Sequence, residues 1–161
     1  MLNQLHFVVV LAAILGSGLI AGVFFAFSTF VMKALSRLTA EEGIKAMQSI
    51  NITVLNLRFL GVFLGTAVVC VVLLTWSLFR WNQTGSGYLI AGSSFVLLGC
   101  LMVTGIFNVP KNEVLAKIDA SDADSVGLWH NYVVEWTNWN HVRTIASVSA
   151  AVCFSSVLIY T

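Results

Sequence analysis

The stretch that decides the fold is the uncharged run from Leu5 to Met32, LHFVVVLAAILGSGLIAGVFFAFSTFVM. About 20 consecutive apolar residues are enough for a helix to cross the hydrocarbon core of a bilayer. This run is longer than that and contains no Asp, Glu, Lys or Arg. It is also too long for the apolar part of a signal peptide. We therefore expect a retained membrane span that is tilted or extends past the interface.

Three further apolar segments predict three more spans, at residues 59–79, 88–109 and about 142–160. The chain is 58% hydrophobic and 9% charged, with a mean hydropathy of +0.92. A soluble core of ordinary size could not bury that much apolar surface. The sequence thus predicts an all-α fold, a bundle of four transmembrane helices forming a single domain over residues 1–161.

The connections between the spans predict interfacial helical extensions on the cytoplasmic side. Residues 33–56 mix charged and apolar side chains, and the segment from Thr39 to Glu42 has the pattern of a capping box, so an interfacial helix should precede the second span. After the third span, Pro110 disfavours helical geometry at Val109, and we expect the span to end there.

Two pairs of glycines are spaced four residues apart within spans, Gly18 with Gly22 and Gly61 with Gly65. Small residues at this spacing let two helices approach closely. We expect both pairs to pack inside the bundle against neighbouring spans. Their use as a seam between copies of the chain, in a homo-oligomer, is the alternative.

Seven of the eight Lys and Arg residues lie on the side of the first and third connections: Lys33, Arg37, Lys45, Arg58, Lys111, Lys117 and Arg143. The positive-inside rule places that side in the cytoplasm and both termini outside it. We expect an integral protein of the bacterial inner membrane, with the lipid bilayer as its partner. The net charge of +1 includes no basic patch of the kind that nucleic acid requires.

A polar and aromatic stretch, WHNYVVEWTNWNHVR, runs from Trp129 to Arg143 and opens the fourth helical segment. At 100° per residue, one face of this helix carries Trp129, Tyr132, Trp136, Trp139, Asn140 and Arg143. Small residues such as Ser147 and Ala150 continue this face, so it should look into the bundle. His130 and His141 point the other way.

Polar side chains from four segments converge on the end of the bundle that carries most of the positive charge. Asn51 and Arg58 are seven residues apart and should share a helix face. We predict one cavity there, with these residues binding a guest: Asn51, Arg58, Asn108, Asn112, Trp129, Tyr132 and Trp136. Rings that stack and an arginine that holds an anionic oxygen suit a planar aromatic small molecule. The alternative is a belt of interfacial aromatics with hydrogen-bonded amides.

The sequence contains no motif for a bound nucleotide or zinc ion. Cys70, Cys100 and Cys153 are isolated within apolar runs, which is typical of small buried hydrophobes and not of disulfides or metal clusters. His130 and His141 are eleven residues apart and lack a set of carboxylates. We therefore predict no cofactor and no metal.

Four patterns in this chain resemble a known family: GVFFAFSTFVM from Gly22, AMQSIN ending at Asn51, FNVPKN over residues 107–112, and the stretch from Trp129 to Arg143. The most specific parts are Asn-x-Pro-x-Asn and the ending Trp-x3-Asn-x2-Arg. Together they resemble the anthrone oxygenase-like family of small four-helix integral membrane proteins, over nearly the whole chain.

This resemblance implies oxidation of an anthrone-type aromatic methylene to a quinone by O2, without a metal or flavin. Removal of a proton gives a delocalised enolate that can pass an electron to O2, so the protein need supply only a base, an oxyanion donor and a dry slot. Arg143 with Asn140 would hold the oxyanion, and His141 would be the base. Because His141 points away from the bundle, it requires a bend in the helix; Tyr132 or a bound water is the alternative base.

Two other classes of function stay open. A non-enzymatic membrane binding or assembly protein would use its glycine pairs for an unknown partner. A carrier would need polar groups through the membrane midplane, and Thr66, Ser94 and Ser147 are too sparse to form such a path.

Overall fold

The computed structural model describes residues 4–122 and 124–160, which form helices joined by short turns. Four helices are long and apolar enough to cross a membrane: α1 (Gln4–Leu35), α3 (Leu57–Phe79), α4 (Ser86–Ala116) and α5 (Ser125–Tyr160). A shorter helix, α2 (Ala40–Thr53), lies between α1 and α3. The predicted all-α fold with four spans is confirmed. Residues 1–3, 123 and 161, which the predicted domain over residues 1–161 includes, lie outside the described residues.

Helix α2 begins at the predicted capping box. The Thr39 hydroxyl accepts a hydrogen bond from the Glu42 backbone N–H, and the Glu42 carboxylate accepts from the hydroxyl and backbone N–H of Thr39. These hydrogen bonds lower the pKa of Glu42 because they stabilise its charged form. The buried face of the helix, with Gly43, Ile44 and Met47, packs over one end of the bundle. We call this the α2 end.

Helix α5 packs against both α1 and α4. Gly92 of α4 lies against the Phe154 ring, and Gly99 lies against the Ala146 side chain, so a Cβ at either glycine would overlap α5. Val10 of α1 packs with Phe154 in the core at the opposite end from α2. The start of α1 and the end of α5 therefore meet at the end away from α2.

The predicted packing of the two glycine pairs is wrong. Gly18, Gly22, Gly61 and Gly65 are all exposed, and no described atom lies within 4 Å of a Cβ added at any of them. In α1 the close approach is made instead by Gly16, which lies against Thr66 of α3. A spacing of four places two glycines on one face, but it does not choose which face meets a neighbouring helix.

The third span does not end at Val109 as predicted, because α4 continues to Ala116. It widens into a π-helix over Thr104–Asn108, and the Val109 N–H donates to the Thr104 carbonyl five residues back. Pro110 then lies in the first turn of the α-helical segment that follows. A proline is tolerated there because its missing N–H and fixed φ suit the start of a helix.

Residues Phe95–Met102 of α4 are also π-helical. A third π-helical stretch, Phe27–Val31, lies within α1. It holds Ser28, whose hydroxyl is 2.9 Å from the Thr144 hydroxyl of α5. Wide turns of this kind occur frequently at functional sites. Both this stretch and the one over Thr104–Asn108 border the same polar cluster on α5, described next.

Candidate functional site

The polar cluster is built on Arg143 of α5, which is 5% exposed. One terminal nitrogen donates to Asn140 Oδ1 at 2.7 Å, and the other donates to Thr104 Oγ1 at 3.3 Å. The guanidinium carbon lies 4.2 Å from the centre of the Phe24 ring and 4.9 Å from that of a Trp136 ring. Contact with aromatic rings suits a planar cation in a site with little water.

No carboxylate pairs with Arg143 among the described residues, whose two ion pairs are Glu41–Lys45 and Lys111–Glu135. The Nε of Arg143 also has no hydrogen-bond partner among the residues that the structure describes. A buried and unpaired cation carries a desolvation cost of several kcal/mol. An anionic group that reaches this guanidinium would offset that cost, so the cluster is suited to bind one.

Asn140 holds Arg143 in position. Its Nδ2 donates to the Phe24 carbonyl and to the Ser28 hydroxyl, both at 2.7 Å, while its Oδ1 accepts from Arg143. The amide is fully buried. Because it links α1 to α5, the position of the guanidinium depends on the packing of these two helices.

A second polar centre is Asn112, near the end of α4. Its Oδ1 accepts hydrogen bonds from the Tyr132 hydroxyl at 2.9 Å and from Trp136 Nε1 at 2.8 Å. The ring of Tyr132 also stacks between those of Trp129 and Trp136. Asn108 Nδ2 donates to the Trp136 carbonyl at 3.2 Å. Of the two asparagines of the Asn-x-Pro-x-Asn pattern, Asn112 therefore orients the side chains of Tyr132 and Trp136, and Asn108 binds the backbone of α5.

A cavity of about 580 Å³ opens beside these two centres, bordered by all five helices. That volume is in the range of pockets that bind small molecules. Its aromatic walls are Phe24, Phe27, Phe59, Phe63 and Trp136. Its polar side chains are Gln48, Asn51, Thr104, Asn112, Glu113 and Arg143. The site is thus an aromatic slot with an arginine on its wall.

The structure brings most of the predicted site residues together. Four line the cavity: Asn51, Asn112, Trp136 and Arg143. Four others are buried behind its wall: Asn108, Trp129, Tyr132 and Asn140. The inward face predicted for the Trp129–Arg143 stretch is confirmed for these residues, whereas Trp139, predicted on the same face, is half-buried outside the cavity lining with its ring stacked on Phe107. The functional roles of these residues stay predictions.

Two predicted residues lie elsewhere. Arg58 is exposed at the start of α3 and does not line the cavity. It does not share a helix face with Asn51, because α2 ends before a turn at which the Asn56 side chain caps α3. His141 is exposed, and α5 continues without a break on both sides of it. The bend that His141 needs to act as the base is absent from α5, so its side chain lies outside the cavity.

The sequence reasoning missed Gln48, Thr104 and Glu113. Thr104 is four residues before Asn108, and Gln48 is three before Asn51, so helical spacing from the predicted residues was a usable signal. Nothing in the pattern distinguishes Glu113 from other surface acids. It is the one carboxylate among the described residues that line the cavity.

Arg143 and Asn51 of the wall each hold a buried nitrogen without a hydrogen-bond partner among the described residues, Nε and Nδ2, and neither nitrogen is accessible from the cavity in this structure. Buried donors of this kind call for an acceptor. Among the described residues, no group of three or more His, Cys, Asp or Glu side chains could hold a metal ion. The arrangement can hold a flat aromatic molecule and stabilise negative charge on its oxygen. That a reaction here needs no cofactor stays a prediction.

Comparison with known families gives a match. The model of the family described as Anthrone oxygenase matches residues 58–153, more than half of the chain. The matched segment holds the cavity residues of α3, α4 and α5, Arg143 among them. No curated protein and no solved structure matches the chain.

Proposed function

The chain belongs to the anthrone oxygenase family, and we propose that it oxidises the central methylene of an anthrone-type aromatic to a quinone with O2, without a cofactor. The observation that carries this proposal is the buried guanidinium of Arg143, which faces an aromatic cavity and has no carboxylate partner among the described residues. Such a group stabilises negative charge on a substrate oxygen more strongly than it would in water.

The shape and chemistry of the cavity support a planar substrate. Phe24 and Trp136 contact the guanidinium, and the rings of Phe59 and Phe63 stack on each other nearby. A flat molecule can stack on such walls while its carbonyl oxygen accepts hydrogen bonds from Arg143. Because Asn140 already holds the guanidinium, little reorganisation is needed when charge develops on that oxygen.

The reaction needs only O2 as oxidant. A base removes one proton from the methylene, and the resulting enolate passes one electron to O2. The delocalised substrate radical and superoxide combine at the former methylene carbon, which forms a new C–O bond, and the peroxide takes up the proton that the base had removed. Loss of the second methylene hydrogen as the O–O bond breaks leaves C=O and one molecule of water. One oxygen atom enters the quinone and the other becomes water, so atoms and electrons balance.

We propose Glu113 as the base in place of His141. Glu113 is exposed near the end of α4 and lines the cavity, whereas His141 is exposed on α5 and does not line it. Arg143 makes this proton transfer easier, since it stabilises the enolate that forms. Glu113→Gln keeps the size of the side chain and removes the basic oxygen. We expect it to lower kcat by about 10² to 10⁴, the usual contribution of a general base. An unchanged kcat would exclude Glu113 from this role.

Oxygen uptake by the purified chain in lipid nanodiscs tests the function. With anthrone as substrate, we expect one O2 consumed and one anthraquinone formed per molecule, above the rate of spontaneous oxidation in empty nanodiscs. With ¹⁸O2, one labelled atom should enter the quinone. Uptake at the empty-nanodisc rate for all anthrones tried would refute the oxygenase function.

A binding or assembly function is the second candidate, and the exposed glycine pairs favour it. Gly18 with Gly22, and Gly61 with Gly65, lie on open faces that a second copy of the chain or another helix could approach closely. Cross-linking of the chain in native membranes separates the two candidates. A homo-oligomer without oxygen uptake would favour assembly.

We further propose that the α2 end lies in the cytoplasm of a bacterium and that both termini lie on the other side of its inner membrane. The basis is the distribution of Lys and Arg, since Lys33, Lys45 and Lys111 belong to the α2 end while Arg80 follows α3 at the other end. Reporter fusions at either terminus test this orientation.

A further inference from the structure

The middle of α2 covers the cavity at the α2 end. Ile44 and Met47 are buried there at 0% and 1% exposure. Gln48 Nε2 donates to the carbonyls of Leu115 and Ile118, at 2.9 and 3.1 Å. Helix α2 is thus hydrogen-bonded to the end of α4 as well as packed on it. Since α2 also supplies wall residues to the cavity, it forms a roof between the cavity and the aqueous phase.

The side of the cavity between α3 and α4 is open. Helix α3 packs against α4 over Ser86–Met102, whereas the remainder of α4 packs mainly on α2 and α5. Leu60 and Leu64 of α3, and Val109 of α4, line the cavity at this gap. Leu64 is 49% exposed and Val109 is 39% exposed. These side chains therefore border the cavity and also reach the outer surface of the bundle.

The exposed side chains around this opening are mostly apolar, and Glu113, one turn after Val109, is the charged residue among those that line the cavity there. On α3 the exposed surface continues from Leu64 to Val68 and Val72, all apolar. At the junction of α2 and α3, the exposed side chains Ile52 and Leu55 also line the cavity. In a membrane such a surface is covered by acyl chains, which a charged molecule does not cross readily.

We propose that the cavity receives its ligand from the bilayer through the gap between α3 and α4. The class of ligand is an uncharged, lipid-dissolved aromatic with a weakly acidic oxygen or carbon, which ionises only after it reaches Arg143. This inference rests on the proposed function for the identity of the substrate, but the route itself depends only on the cavity and its opening.

The experiment uses 1-hydroxyanthraquinone, whose visible absorbance changes when its hydroxyl group ionises. The full chain in nanodiscs is mixed under argon with lipid vesicles that contain this dye, and the absorbance is followed by stopped flow. Leu64→Trp narrows the gap, and we expect it to slow binding by about tenfold or more, within the range over which mutations change association rates. Val68→Trp, an exposed position one turn further along α3 and outside the cavity lining, is the matched control and should bind at the parental rate.

A second variant, Leu60→Trp, should slow binding in the same way and guards against a local folding defect at Leu64. A sulfonated hydroxyanthraquinone, which stays in water, should produce no absorbance change. The route is overturned if the sulfonated dye binds, if both portal variants bind at the parental rate, or if the parent shows no absorbance change. The dye test excludes O2, so its result does not depend on the oxidation reaction. If the dye binds at the expected rates but the chain shows no oxygen uptake with anthrone, the route is supported and only the oxygenase function is refuted.

Discussion

Substituting Arg143 with lysine separates charge from geometry at the proposed site. The guanidinium donates to Asn140 and Thr104 through two different nitrogens, and its carbon lies 4.2 Å and 4.9 Å from the ring centres of Phe24 and Trp136. Lysine keeps the positive charge, but it has a single nitrogen and a shorter reach. It therefore cannot hold Asn140 and point a second donor at a substrate oxygen in one fixed arrangement.

The two effects of Arg143→Lys differ in size. Removal of one oxyanion donor costs about 2.7–4 kcal/mol in the transition state, which is roughly 10² to 10³ in kcat. Folding loses the hydrogen bond to Thr104, and the one to Asn140 as well if the new ammonium does not reach it, at about 1.5–3 kcal/mol for each hydrogen bond to a charged group. We therefore expect turnover to fall by about two to three orders of magnitude in a chain that still folds.

The assay is oxygen uptake with anthrone in nanodiscs, corrected for empty nanodiscs, beside thermal unfolding followed by circular dichroism. Arg58→Lys is the control, since Arg58 is exposed and outside the cavity; it should match the parent in both measurements. Parental turnover in Arg143→Lys, or an equal loss in both variants, would refute the role of the guanidinium.

Three further outcomes are expected. His141→Ala should leave oxygen uptake near the parental rate, because His141 is exposed on an unbroken helix; a loss of tenfold or more, about 1.4 kcal/mol, would show that α5 bends during the reaction. Gly99→Ala should destabilise the chain by about 1–3 kcal/mol through overpacking against Ala146, whereas Gly105→Ala, where nothing described lies within 4 Å, should be close to neutral in the same unfolding assay. Acidification should loosen the start of α2: the pKa of Glu42 is lowered in the folded chain, so its stabilisation is present above its ordinary pKa and is lost as pH falls through the lowered value. Amide protection factors there, corrected for the intrinsic pH dependence of exchange, should fall at low pH in the parent but not in Glu42→Gln; protection factors in the parent that do not change with pH would contradict this.

The inward face of α5 was predictable from the sequence because it depends on one helix alone. The helical period of 3.6 residues places Trp136, Asn140 and Arg143 on one face of the helix, whatever its neighbours are. The small residues that follow on the same face indicate that this face packs against other helices. The same calculation turned His141 outward, and the structure agrees. The base expected from family resemblance conflicted with this geometry.

The wrong predictions are those that depended on an adjoining segment or on an opposing helix. Asn51 and Arg58 share a face only if one helix runs through both, and the turn before α3 separates them. Pro110 was expected to end the helix on the assumption that the preceding turn is α-helical. The turn before it is instead a π-helix, over Thr104–Asn108. Gly18 and Gly61 are small enough to be packed, but packing also requires an opposing helix at that face.

The sequence by itself determined that the chain crosses the membrane four times and that an arginine and a set of amides gather at one end, because length, hydropathy and helical period are local properties. Only the tertiary structure decided that Glu113 joins the cavity wall, that the guanidinium of Arg143 has no carboxylate partner among the described residues, and that the cavity opens between α3 and α4. The physical reason is that burial, charge pairing and access to the cavity depend on which helix surfaces pack against each other. That packing is decided by residues that are far apart in the sequence.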